Sequence, residues 1–234
     1  MIMERILYQS NNCVVINKLK GEAVEGAKNE IVDLQKELKA FLKADFVEAV
    51  NRLDVPVTGC ALFALNGTAL EYLNSVFAGR GEIKTDKRYW AIVEKPSFKI
   101  AETSELTHWI EINSRNNKSF AHDKEKQNCK KSSLRYSVIG EGTNYLFLEI
   151  ELLSGRHHQI RAQLAAVGLH IKGDLKYGSK RSEKNGGIRL HARSLSFPNP
   201  ENKDEFINVT ADPLVMDNLW LDFIQAVPSS ASRK

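Results

Sequence analysis

Cysteine is scarce in this sequence, and its three cysteines, Cys13, Cys60 and Cys129, lie far apart. An odd number of distant thiols forms neither a disulfide framework nor a paired metal-ligand motif. Cys13 and Cys60 also lie in apolar runs, which favours reduced, buried thiols. We therefore predict a cytoplasmic protein without a metal site.

Long apolar runs are missing as well. No stretch reaches the roughly 18 apolar residues that a membrane-spanning helix needs, and the first five residues lack the apolar core of a signal peptide. We expect no membrane partner. The sequence also lacks internal repeats and any linker rich in proline, glycine and serine, which predicts one domain over residues 1–234.

Positive charge is concentrated in two segments. Arg115–Arg135 and Lys172–Arg193 each contain seven Lys/Arg and two Asp/Glu, a local charge of +5 in each, although the whole chain carries only +4. Clustered cations indicate a partner with a phosphate backbone, but solvated loops would look the same. The rest of the chain carries 4 − 10 = −6.

Patterns of apolar residues predict a mixture of strands and short helices. Arg5–Tyr8 and Cys13–Asn17 are typical of two neighbouring strands. Glu30–Leu42 has apolar residues at helical spacing and is predicted to be an amphipathic helix. The polar stretch that follows residue 97 is interpreted as strands carrying a long basic insertion, Asn113–Ser133.

One short stretch is the most informative. Asn51–Cys60 places Arg52 and Asp54 between two apolar, strand-like runs, so that a carboxylate lies in a turn held by a rigid scaffold. Loops of this kind often carry binding or catalysis. On these residues alone, the simpler interpretation is that Asp54 only shapes the turn.

Four further blocks are informative in the same way. Lys87–Val93 is predicted to be a strand in which aromatic and basic residues are interleaved. Ser154–Arg161 predicts a strand end, a glycine turn and the start of a helix. Ile171–Gly178 is a short block with glycines and charges, and Leu190 begins a later apolar strand.

Together these blocks resemble the motifs of RluA-type RNA pseudouridine synthases. Arg52, Leu53 and Asp54 match the Arg-Leu-Asp of the family's catalytic motif, in which Asn51 replaces a histidine. The other blocks match in the same order, and the resemblance runs from about Ile6 to about Phe223. Motifs that are weak singly are specific in this combination.

The resemblance implies an enzyme that isomerises uridine to pseudouridine in rRNA or tRNA. Asp54 would be the catalytic carboxylate acting on a flipped-out uridine, Tyr89 would stack on the base, and Arg161 would form an ion pair with Asp54. The expected RNA contacts are Arg52, Arg156, Lys172 and Lys176. The expected pocket walls are Leu53, Leu175 and Leu190.

The resemblance also implies the fold: an α+β protein with a curved, mixed and largely antiparallel sheet, a central cleft and flanking helices. No cofactor motif is present, so we expect no cofactor. Because the sequence begins with strands of the catalytic domain, we expect no S4 RNA-binding domain of the kind that some relatives carry. We expect a monomer whose partner is RNA.

Two other functions remain open from the sequence. The chain could be a non-catalytic RNA-binding homologue that keeps the cleft for RNA shape. A glycoside hydrolase is a weaker alternative, because that chemistry normally needs two carboxyl groups about 5–10 Å apart, and no second carboxylate with a matching context is found beside Asp54.

Overall fold

The computed structural model describes residues 1–27, 30–80, 84–184 and 186–227. The chain forms two compact units. The first unit comprises Met1–Lys87 and His191–Leu214, and the second comprises Arg88–Leu190 and Val215–Lys234. The prediction of one catalytic domain over residues 1–234 stays a prediction.

The described residues contain eleven strands, four α-helices and two short 3-10 turns. In chain order the strands and helices are β1 (Ile6–Gln9), β2 (Cys13–Lys18), α1 (Leu34–Leu42), β3 (Glu48–Ala49), β4 (Thr58–Ala64), α2 (Gly67–Phe77), β5 (Asp86–Glu94), β6 (Thr103–Asn113), β7 (Lys118–His122), β8 (Lys130–Glu141), β9 (Tyr145–Leu152), α3 (Gln159–Ala166), β10 (Leu190–Pro198), β11 (Phe206–Thr210) and α4 (Asn218–Ala226). The 3-10 turns are Met3–Arg5 and Leu175–Tyr177.

In the first unit, β4 is the central strand. It pairs antiparallel with β2 and β3, and its start pairs parallel with β10. β1 extends the sheet beside β2, and β11 extends it beside β10. The parallel pairing requires Gly59, because a Cβ there would lie 2.2 Å from the carbonyl oxygen of Ala192. Apolar residues of these strands and of α2 form the core.

The second unit is an antiparallel sheet in the order β5, β9, β8, β6, β7. Helix α3 packs against β6 and β7, where Ile110 and Ala162 are buried together. Helix α4 packs Phe223 against Trp90 and Phe147. In the part of the chain described above, no helix has the length and apolar character to cross a membrane.

The predicted α+β class with a mixed, largely antiparallel sheet is confirmed, because β4 and β10 form a parallel pair among antiparallel ones. Two details differ from the sequence-based expectation. Helix α1 begins at Leu34 rather than Glu30, because Asp33 caps it by accepting a hydrogen bond from the Lys36 N–H at 3.2 Å. The basic insertion contains an ordered strand, β7, paired with β6.

His191 fastens the parallel pair in the first unit. Its Nε2–H donates to the Ala211 carbonyl at 2.9 Å, so Nδ1 accepts from the Thr58 hydroxyl at 2.7 Å. Burial lowers the pKa of His191 to about 4, although the Ala211 hydrogen bond opposes this. The folded protein therefore holds His191 neutral, in a tautomer set by its two partners.

This buried neutral histidine makes stability depend on pH. Between pH 6.5 and about 4 the unfolded chain binds a proton at His191 that the folded chain does not, so stability falls as the pH falls through that window. We expect His191 alone to lower the free energy of unfolding by about 2 kcal/mol between pH 7 and pH 5. Urea unfolding at the two pH values measures this difference.

The matched variant is His191→Gln, with His122→Gln as the control at a surface histidine. His191→Gln should be less stable at pH 7 but should lose less stability on going to pH 5 than the parent does. An equal pH dependence in His191→Gln and the parent would contradict the assignment.

Candidate active site

Asp54 lies half-buried in the loop between β3 and β4 of the first unit. The Val57 N–H donates to the Asp54 carbonyl at 2.9 Å and closes the turn. Asn51 holds the beginning of this loop to β4. Its side-chain oxygen accepts from the Leu62 N–H at 2.7 Å, and its side-chain nitrogen donates to the Cys60 carbonyl at 3.2 Å. The loop is therefore fixed by hydrogen bonds on both sides of Asp54.

A buried lysine holds the same loop through hydrogen bonds to its backbone carbonyls. The ammonium group of Lys18 donates to the carbonyls of Val57, Leu19 and Val55 at 2.7, 2.8 and 3.2 Å. Burial lowers the pKa of Lys18 to about 8, and the nearby carboxylates of Glu22 and Asp54 partly oppose this. The charge of Lys18 thus lies close enough to interact electrostatically with Asp54.

Arg161 is the central buried charge of the second unit. It extends from α3, and its guanidinium binds Asp174 in a two-pronged ion pair, with Nε 2.7 Å from Oδ2 and Nη2 2.9 Å from Oδ1. The same guanidinium lies over the Tyr177 ring, 4.9 Å from its centroid. Both partners are almost fully buried. Asp174 therefore fixes the direction of the guanidinium.

His158 belongs to the structural frame around Arg161. Its Nδ1 lies 3.0 Å from the Tyr177 hydroxyl, which accepts from the Ser119 N–H at 2.8 Å and therefore donates to His158. Burial, then the charge of Arg161, lowers the pKa of His158 to about 3. His158 is accordingly a neutral hydrogen-bonding residue.

Tyr89 lies on β5, opposite Ile150 of β9, and is buried. Asp54 belongs to the first unit, whereas Tyr89 and Arg161 belong to the second. The expected ion pair between Asp54 and Arg161 joins residues of different units and stays a prediction.

The four expected RNA contacts have different environments. Arg52 is exposed, with its Nη1 3.7 Å from a carboxylate oxygen of Glu25, and Arg156 is also exposed. Lys172 is mostly enclosed and forms an ion pair with Glu183. Lys176 is exposed, but its ammonium donates to the Asn117 carbonyl at 3.0 Å.

The three expected pocket residues also differ. Leu53 and Leu190 are buried, whereas Leu175 is 59% exposed. Leu175 begins a 3-10 turn whose buried residue is Tyr177. The assignment of these three leucines to a pocket stays a prediction.

A group of possible metal ligands combines Glu111 of β6 with His122 and Cys129 of the basic insertion. Donor atoms of Glu111, His122 and Cys129 lie within 4.8 Å of one another. However, His122 already bonds Glu111 at 2.8 Å, and the Lys126 ammonium lies 3.1 Å from the other His122 nitrogen. A cation would have to enter among lysines, which disfavours a metal there.

Lys18 and Asp174 are the residues whose roles the sequence did not reveal. Lys18 directly follows the predicted strand Cys13–Asn17, and Asp174 lies in the block Ile171–Gly178, between Gly173 and Leu175. A charged residue beside apolar residues or glycines was the sequence signal that could have indicated a buried, paired charge at these positions. Their partners, backbone carbonyls and a guanidinium 13 residues away, are set by the tertiary structure.

Known proteins with similar sequences and folds identify the family of this chain. The family model described as RNA pseudouridylate synthase matches residues 12–166. A tRNA pseudouridine synthase C of Haemophilus ducreyi is 30% identical, and the match covers 92% of each chain. The ribosomal large subunit pseudouridine synthase C of Vibrio parahaemolyticus is 28% identical over 88% of this chain and 64% of the relative.

Among solved structures, the human RNA pseudouridylate synthase domain containing 4 protein has the same fold. Its TM-score is 0.72 at 22% identity, and the match covers 97% of this chain and 94% of the human one. The chain spans slightly less than two thirds of the ribosomal relative from Vibrio parahaemolyticus. From the family match and the relative from Haemophilus ducreyi, we conclude that this chain belongs to the RNA pseudouridylate synthase family.

Proposed function

We propose that this protein is an RNA pseudouridine synthase that isomerises specific uridines in rRNA or tRNA. The observation that carries the proposal is the family match over residues 12–166, which includes Asp54, Tyr89 and Arg161. The relatives named for rRNA and for tRNA support both classes of substrate.

The reaction breaks the bond between ribose C1′ and base N1, turns the base, and joins C1′ to C5. The proton displaced from C5 ends on N1, so the product is an isomer and no electrons are exchanged. A carboxylate can act on the ribose as a nucleophile or as a base, and it must be ionised to do either. We assign this role to Asp54, and the target uridine must leave its stack to reach it.

The geometry of the first unit supports that role. Asp54 lies in a loop held by Asn51 and by the carbonyl contacts of Lys18, and it remains partly accessible to solvent. The positive charge of Lys18 attracts an ionised Asp54 carboxylate. A fixed, charged and reachable carboxylate is what attack on a bound nucleotide requires.

The second unit would supply the partners of the reaction. Asp174 binds Nε and one N–H of Nη2, and a guanidinium carries five N–H donors in a fixed fork. We propose that Arg161 directs another of its donors to Asp54 when the site is assembled. Tyr89 would then stack on the extruded base and replace the stacking that the base loses.

The alternative, a non-catalytic RNA-binding homologue, arises from Asn51 standing where the family has histidine. Asn51 makes two hydrogen bonds to β4, so the replacement leaves the Asp54 loop fastened. This favours the enzyme. Failure of the parent protein to form pseudouridine in any cellular rRNA or tRNA that it binds would favour the alternative.

The first test removes only the charge of Asp54. We expect Asp54→Asn to abolish pseudouridine formation, by at least about a thousandfold, while the Kd for RNA stays within about threefold. Mass-spectrometric mapping of pseudouridine in treated RNA measures the first quantity, and filter binding measures the second.

The matched control is Asp45→Asn, at an exposed aspartate of the same unit. It should retain the activity and affinity of the parent. Appreciable turnover by purified Asp54→Asn would refute the assignment of Asp54.

The second test removes the partner that orients Arg161. Asp174→Asn leaves a buried guanidinium without its counter-charge, which should destabilise the second unit by about 3–5 kcal/mol. At a temperature where the variant remains folded, we expect kcat to fall at least about tenfold, because Arg161 is no longer held in one direction. Asp222→Asn, on the exposed side of α4, provides the control. A folded Asp174→Asn with the parent kcat would show that this ion pair serves stability alone.

A further inference from the structure

The basic segment Lys172–Arg193 separates into two kinds of cation. Some are used inside the second unit. The Lys172 ammonium pairs with Glu183 and lies 5.7 Å from the centroid of the Tyr145 ring. Arg189 binds Glu183 through Nη2 at 2.8 Å and also binds Asp217. These cations hold the segment together.

Glu183 is the centre of this arrangement. Its carboxylate is only 11% exposed and lies between two cations, with one oxygen bound to Lys172 and the other to Arg189. Arg189 in turn lies over the Trp220 ring of α4, 5.7 Å from its centroid. The one acidic residue between Leu175 and Arg189 is therefore turned inward and neutralised.

A second carboxylate anchors the other end of the same loop. An oxygen of Glu94 accepts from the Ser179 hydroxyl at 2.8 Å and from the Lys180 N–H at 2.9 Å. The Ser179 hydroxyl also accepts from the Gly173 N–H at 3.1 Å. Residues Ser179–Lys184, which we call the basic loop, are thus fixed at Ser179 by Glu94 and at Glu183 by Lys172 and Arg189.

Gly173 lets the basic loop come this close. A Cβ at residue 173, where φ is +90°, would lie 2.7 Å from Cγ of Glu183 and 3.1 Å from the Gly187 carbonyl oxygen. Glycine is required there by both the backbone conformation and the contact. The position of the loop is therefore built into the packing of its neighbours.

The basic loop exposes Lys180 and Arg181 between its anchors and Lys184 directly after the second anchor. With Glu183 turned inward, the loop presents positive charge to solvent without a compensating acidic group of its own. A loop that is already fixed loses less conformational entropy when its three cations bind a polyanion than a flexible loop with the same cations would.

We propose that the basic loop is a preformed contact surface for the phosphates of the substrate RNA. This inference rests on the proposed function for the nature of the polyanion. Lys180, Arg181 and Lys184 bind the backbone, whereas Lys172 is a positioning residue. Such contacts set affinity and its salt dependence rather than the choice of base.

The first experiment removes the three exposed charges together. The variant Lys180→Gln, Arg181→Gln, Lys184→Gln is compared with the parent for binding to a fluorescent tRNA transcript and a fluorescent fragment of large-subunit rRNA over a range of salt. Loss of three phosphate contacts should flatten the slope of log K against log salt by about 2 and weaken binding about tenfold at 0.1 M salt.

A matched control carries the same change of charge on and directly after α1 of the first unit: Lys36→Gln, Lys39→Gln and Lys43→Gln. Its salt slope should stay that of the parent. If both triple variants change affinity equally, only the net charge matters and the proposal is wrong.

The second experiment tests the preformed loop. Glu183→Gln makes the protein more positive, so a simple effect of net charge predicts tighter RNA binding. If Glu183 holds the loop in its binding position, the substitution releases Lys172 and Arg189 and should weaken RNA binding by about threefold or more. Circular dichroism checks that the variant is folded. Equal or tighter binding by folded Glu183→Gln would overturn the positioning role.

Pseudouridine formation by the parent separates this inference from the proposed function. An active parent whose basic-loop variant keeps the full salt slope refutes the inference and leaves the function standing. A parent that forms no pseudouridine, but whose RNA binding depends on the basic loop, supports the inference and refutes the function. A parent that binds neither RNA refutes both.

Discussion

A cation enclosed in a protein must be surrounded by oxygen atoms, because its desolvation is otherwise too costly. That requirement organises both units. In the first, Lys18 gathers the carbonyls of Leu19, Val55 and Val57 and so fastens the Asp54 loop. In the second, Arg161 gathers the carboxylate of Asp174 and fastens the turn after α3.

The buried charges contribute more to the orientation of the groups around them than to the stability of the fold. Replacing a buried ion pair by well-packed apolar residues is often neutral or stabilising, so such pairs are weak evidence of a stable core. What they provide is direction: a two-pronged carboxylate fixes the plane of a guanidinium. In the reaction proposed above, the orientation of each reacting group matters more than the stability that it adds.

A high local charge in the sequence does not mean that every cation is available to a partner, because some of them form internal ion pairs. The segment Lys172–Arg193 carries +5 in the sequence, yet Lys172 and Arg189 are taken up by Glu183 and Asp217. Lys176 and the cations of the basic loop remain exposed. Of the two motif lysines, Lys172 is used in the internal ion pair with Glu183, whereas Lys176 stays at the surface.

The sequence by itself determined the family, because its motifs and their order are local properties, and the resemblance to that family implied the fold class. Apolar patterns also predicted several strands and placed Asp54 in a turn between two of them. The sequence did not place the start of α1, which depends on Asp33 as a cap, or β7, which is a strand because β6 is available to pair with it. Only the tertiary structure decided which charged groups meet. The partners of Lys18, Arg161 and Glu183 come from different segments, and their pairing depends on packing that no local pattern encodes.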